Sequence, residues 1–147
     1  MPGIATPLGD ITHVIQLAIA PVFLLTAVCT LLNVLTNRLA ISADRRRLLI
    51  VRLPELDAAT AGTANAELDY LDRRLHLIYT AIVFAVVCAL LICLMIAAAF
   101  FGAFMSFQVS STVAVFFVIA LMALLGSLAV FLREIFLAVN TPRCPVI

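Results

Sequence analysis

The sequence predicts an all-α, polytopic membrane protein with three transmembrane helices, the first two extended into a cytoplasmic helical hairpin. Three observations predict it. Hydrophobic residues make up 65% of the 147 and charged residues only 12%, with a mean hydropathy of +1.24, whereas soluble globular chains are about 45–50% apolar. Three uncharged apolar runs reach the length of about 20 residues that crosses a hydrocarbon core of about 30 Å. Seven of the nine basic residues, Arg38, Arg45, Arg46, Arg47, Arg52, Arg73 and Arg74, lie in one polar segment between the first two runs.

Span one is expected at about residues 11–35. The residues before it, MPGIATPLGD, carry no Lys or Arg, and the apolar run is too long for the core of a cleaved signal, so it is expected to stay as an anchor. Spans two and three are expected at about 77–104 and 109–132, with a helical extension over about 36–76. Arginines bias their segment to the cytoplasm. The extension is therefore placed inside and the amino terminus and the 103–110 turn, which carry none, outside. Arg133 and Arg143 put the carboxyl terminus inside as well. The chain is expected to form a single membrane domain, 1–147. Too little of it is left outside the bilayer for an independent soluble enzymatic domain of about 100 residues or more.

The extension reads as helix. Asn37–Arg38 runs on into LAISADRRRLLIVRLPEL, where Leu39, Leu48, Leu49, Leu53 and Leu56 supply an apolar side. Pro54 is expected to kink or end this helix, with Gly62 marking the turn. A second helix is expected to start near Thr63 and run through ANAELDYLDRRLHLIY into span two. Asp69 and Arg73 stand at i, i+4, acid first, which supports an exposed helix by a few tenths of a kcal/mol. These charges serve as a solvated face and topology signal, or as a docking surface for a cytoplasmic protein or anionic lipid. Asp44, Glu55, Asp57, Glu67, Asp69 and Asp72 interrupt the basic patch and argue against nucleic acid.

The spans differ in their faces. In span two Ala81, Ala85, Ala89, Cys93 and Ala97 repeat every four residues, and Ala98 with Gly102 adds a further pair. Small residues at that spacing let helices pack closely in lipid. Span three has a weaker version in Ala123 and Ser127, with Gly126 beside them. In span one Gln16, Thr26, Thr30, Asn33 and Asn37 follow three- and four-residue steps with Ile19 and Phe23, the seam of a left-handed bundle. Amides in hydrocarbon need partners, so this face looks either at another helix, as hydrogen-bonded glue, or at water. One three-span chain cannot enclose a channel, so a water-lined face requires a homo-oligomer. Pro21 frees a backbone carbonyl that Thr26 and Thr30 cannot easily reach.

No catalytic, cofactor or metal site is expected, and the chain is not read as an enzyme. His13 and His76 fall at opposite membrane surfaces and cannot share a metal. Cys29, Cys88 and Cys93 lie inside spans, where cysteine behaves as a small apolar residue. The Cys144-Pro145-Val146-Ile147 ending is a chance match to a prenylation box, given Pro145 and the absent polybasic flank. Arg133 and Glu134 are adjacent and point in different directions. Either could pair with Asp44, Arg38 or a neighbour's charge as a structural latch.

The run AIAPVFLLTAVCTLLNVLTNRLA (18–40), the later LDRRLHLIYTAIVF and FLREIFLA (131–138) resemble a family of small bacterial three-span membrane proteins known as a domain of unknown function, DUF2721. The resemblance covers about residues 11–139. It implies a bacterial inner (cytoplasmic) membrane protein and carries no activity with it. Two functional classes are expected from the residues. The first is a homo-oligomeric channel or transport-related pore in which Gln16, Thr26, Thr30, Asn33 and Asn37 face an axial path and Arg38, Arg45, Arg46 and Arg47 make a basic mouth favouring anions. The second is a scaffold subunit whose hairpin docks a protein or anionic lipid.

Overall fold

The computed structural model describes the backbone of residues 5–55, 58–105 and 110–139. Helix α1 runs Ala5–Arg52 and ends in a single 3₁₀ turn, Leu53–Glu55. Helix α2 runs Ala58–Met105 and α3 Ser110–Val139. Among the described residues there is no strand, so the all-α architecture expected from the apolar runs holds. Each helix contains a segment long and apolar enough to cross a membrane: Ile19–Arg52, Thr60–Gly102 and Ser111–Val139. Arg143, the Cys144 ending and the side chains of His13, Glu55 and Asp57 lie outside the described residues.

The helix stops are local chemistry. Pro54 has no amide hydrogen to continue the α-helical ladder, and α1 gives way at Arg52 as expected. The expected turn at Gly62 is not there. Gly62 is exposed inside α2, which begins at Ala58 rather than near Thr63. Alanines at 58, 59 and 61 favour helix strongly enough to carry one glycine, whose cost relative to alanine is about 1 kcal/mol. Helix α3 runs beyond the expected third span, about 109–132, to Val139. Pro21 is buried inside α1. The Thr26 hydroxyl donates to the Val22 carbonyl (3.1 Å) and the Thr30 hydroxyl to the Thr26 carbonyl (3.0 Å), so each bonds its own preceding turn.

Contacts within the chain form two compact units, Met1–Leu32 with Phe84–Leu125 and Asn33–Val83 with Gly126–Ile147. The first has an apolar interior of Val28, Ala85, Cys88, Ile92, Met95 and Ala120. On α2 these steps are three, four and three residues, the spacing that keeps one face turned inward along a supercoiled pair. In the second unit buried positions recur at seven-residue intervals on each helix, with Ala81 added three residues after Ile78. The recurring positions are Leu35, Ser42 and Leu49 on α1, Ala64, Leu71 and Ile78 on α2, and Ser127 and Glu134 on α3. Ser127 donates its hydroxyl to the Ala81 carbonyl at 2.8 Å, joining α3 to α2.

Candidate functional site

The second unit places a carboxylate at a core position. Glu134 follows Ser127 by seven residues and has 0% exposure. A buried carboxylate costs several kcal/mol unless it is paired. Two arginines pair with it. Arg74 of α2 approaches one oxygen through Nη2 at 2.6 Å and Nε at 3.1 Å, and Arg38 of α1 reaches the other through Nη1 at 3.4 Å. Each arginine lies three residues after one core residue and four before the next: Arg38 between Leu35 and Ser42, Arg74 between Leu71 and Ile78. The repeat that builds the core therefore also aims the three charges at one another. The Arg38 guanidinium also sits over the Phe131 ring, 5.3 Å from its centroid, a favourable cation–π geometry.

Beside this cluster is an open hollow of about 720 Å³, lined by Asn33, Val34, Thr36, Asn37, Arg38, Ile41, Ser42 and Arg74. Its charge is positive, because two arginines share one carboxylate. Three guanidinium N–H donors bond Glu134, out of the five that each arginine carries. Both arginines also line the hollow.

The five polar residues expected to share a face of span one divide here. Asn33 and Asn37 are exposed and line the hollow. Gln16, Thr26 and Thr30 are exposed in the first unit and line no part of it. The expected basic mouth divides as well. Arg38 joins the hollow, Arg45 pairs with Glu67 of α2 at 2.7 Å, and Arg46 pairs with Asp72 of α2. Arg47 is exposed and forms no ion pair among the described residues. The Tyr70 hydroxyl donates to the Leu137 carbonyl in the last turn of α3, where helix carbonyls lack intrahelical partners.

The small-residue row of span two rotates away from the interior. Ala81 and Ala85 are buried, Ala89 is half-buried, and Cys93 and Ala97 are exposed. A strict four-residue repeat advances about 40° beyond one turn at each step. By Ala97 the row has turned through about 160°, while the buried series instead follows Ala85, Cys88, Ile92 and Met95.

Sequence reasoning did not assign Arg74, Thr36 or Ser42 to a site. The signal for Arg74 was its place between Leu71 and Ile78, a seam position that a charge occupies only with a partner. Among the described residues no group of three or more His, Cys, Asp or Glu side chains could hold a metal ion.

No curated protein and no solved structure matches the chain. A family does match, over residues 18–144, and that span includes every residue lining the hollow and all three charges of the cluster. The chain belongs to the family described as "Protein of unknown function (DUF2721)".

Proposed function

We propose that this membrane protein resides in the bacterial inner membrane, amino terminus outside and carboxyl terminus inside, and self-associates into a channel or transport-related assembly that handles an anion. The hollow carries this reading. It gathers Asn33, Asn37, Arg38 and Arg74 where the apolar stretch of α1 ends after Leu35, and its net charge is positive. Arginines at a pore entrance favour anions. The geometry supports Arg38 and Arg74 as the working cations, because Arg45 and Arg46 are paired with acids of α2.

Purified protein in nanodiscs and in proteoliposomes tests the proposal. The expected particle is a homo-oligomer whose flux prefers anions to cations. Asn33→Leu lowers the flux, and Arg38→Gln lowers the anion preference. A strictly monomeric particle, or flux indifferent to both substitutions, ends this reading.

One observation favours a second reading, a scaffold whose hairpin docks a partner. Ile41, Leu48 and Val51 are 63%, 51% and 74% exposed beyond the apolar run of α1. Cysteine cross-linking at Leu48 separates the two. Self-association predicts cross-links between copies in pure protein, and a scaffold predicts none until its partner is supplied.

A further inference from the structure

We propose that the hollow beside Arg38 and Arg74 is a binding site for a phosphate group, presented by a lipid headgroup or free in solution. The inference rests on the anion-handling reading above and names the anion.

Donor geometry separates phosphate from the alternatives. A halide accepts N–H donors but, being a sphere, has no preference for a forked pair of them. A phosphate holds its oxygens at fixed angles, and forked guanidinium groups match those angles with two parallel N–H donors. Arg38 spends one donor on Glu134, at the long distance of 3.4 Å, and Arg74 spends Nε and Nη2 on a single Glu134 oxygen. Both guanidinium groups thus retain N–H donors at the wall of the hollow. Asn33 and Asn37 add two carboxamides at the same wall. Glu134 acts behind them as a positioning residue. It is fully buried, holds the two cations close together against their repulsion, and leaves one positive charge uncompensated.

The surroundings fit a ligand of that size. About 720 Å³ is within the range of about 300–1,000 Å³ typical of small-molecule sites. Val34 and Ile41 form an apolar part of the lining, suited to the glycerol or upper acyl carbons next to a lipid phosphate. The hollow also begins where the apolar run of α1 ends, the depth at which basic residues meet headgroups.

The test uses the full-length protein. Thermal unfolding in detergent is followed by far-ultraviolet circular dichroism while inorganic phosphate is titrated against chloride at matched ionic strength. In parallel, nanodiscs of phosphatidylcholine with or without phosphatidylglycerol are assembled, and retained phosphatidylglycerol is counted by native mass spectrometry. Phosphate, and not chloride, is expected to stabilise the protein or phosphatidylglycerol to be retained. Arg38→Gln leaves Glu134 paired with Arg74 and is expected to weaken that effect about fivefold. Arg47→Gln, outside the hollow, is expected to leave it unchanged. Retention of phosphatidylglycerol with no response to inorganic phosphate identifies a lipid as the source, and the reverse identifies free phosphate. The proposal is overturned if chloride matches phosphate and phosphatidylglycerol is not retained, or if Arg47→Gln weakens the effect as much as Arg38→Gln. Anion-selective flux that depends on Arg38 but shows no phosphate preference removes this inference alone. Loss of all anion dependence removes the proposed function with it.

Discussion

The two compact units draw on the same three helices and hold them by different forces. In the first, Val28, Ala85, Cys88, Ile92, Met95 and Ala120 supply an apolar interior. In the second, the interior includes Ser42, Ser127 and Glu134, and all the ion pairs among the described residues lie there. In lipid, apolar packing is a matter of shape, because acyl chains are as apolar as the side chains they replace. A paired buried charge is less forgiving. If α3 slipped by one residue, Glu134 would leave both arginines, and an unpaired carboxylate in an apolar interior is costly. The first unit is thus held by close fit, the second also by a fixed register, and the hollow is on the side where register is fixed.

The largest expected effect tests that distinction directly. Glu134→Ala leaves Arg38 and Arg74 facing one another without their shared carboxylate and is expected to destabilise the protein by about 3–5 kcal/mol, read by reversible unfolding in mixed micelles. Glu134→Gln keeps the volume and is expected to lose most of the same stability, because the arginines then lack a countercharge. If Glu134→Gln behaves as wild type, shape rather than charge holds the second unit and the contrast fails.

Ile92→Ala is the matching probe of the first unit. Ile92 is fully buried, and its truncation opens a cavity that costs about 2 kcal/mol, the lower end for such changes, because transfer to lipid adds little to the lost contacts. Ile92→Leu nearly conserves volume and is expected to recover most of that loss. A cost for Ile92→Ala equal to that of Glu134→Ala would erase the difference between the units.

What the sequence made legible follows the same division. Apolar run length was enough to place three spanning helices, because a hydrocarbon core demands a minimum length whatever the packing. Pro54 marked the end of α1 because its effect is local. Gly62 misled, since glycine is a weak helix breaker and three nearby alanines outweigh it. Along the row from Ala81 to Ala97 only Ala81 and Ala85 are buried within the chain, because a spacing of four follows one face only briefly. Asn33 and Asn37 stood out as amides at the end of an apolar run, and both line the hollow. Arg74 did not stand out, being one arginine among seven until the buried neighbours Leu71 and Ile78 show which face it occupies. Which arginine pairs with which acid depends on where three distant segments meet, and no single helix records that.

A smaller effect comes from Gly62, at the start of α2. A methyl group added there meets nothing within 4 Å. Gly62→Ala is therefore expected to stabilise the protein by about 1 kcal/mol through helix propensity alone. Amide hydrogen exchange should slow at the amino-terminal end of α2. Faster exchange would mean that the glycine serves a bend under working conditions.

The smallest effect sharpens the comparison by staying inside the second unit. Arg73 Nε lies 3.5 Å from Asp69 Oδ2 one turn earlier on α2, and both side chains are about three-quarters exposed, at 75% and 74%. Arg74, the next residue, is 20% exposed and holds the fully buried Glu134 at 2.6 Å. The sequence presents two adjacent arginines of the same chemistry, and only burial separates them. Solvent screens the first pair, so Arg73→Ala is expected to cost no more than about 0.5 kcal/mol, and less as salt rises. Arg74→Ala strands a buried carboxylate and is expected to cost several kcal/mol with little dependence on salt. Unfolding of both variants at low and high ionic strength checks this. Equal costs would show that the second unit is held by its overall charge pattern rather than by the carboxylate at its core.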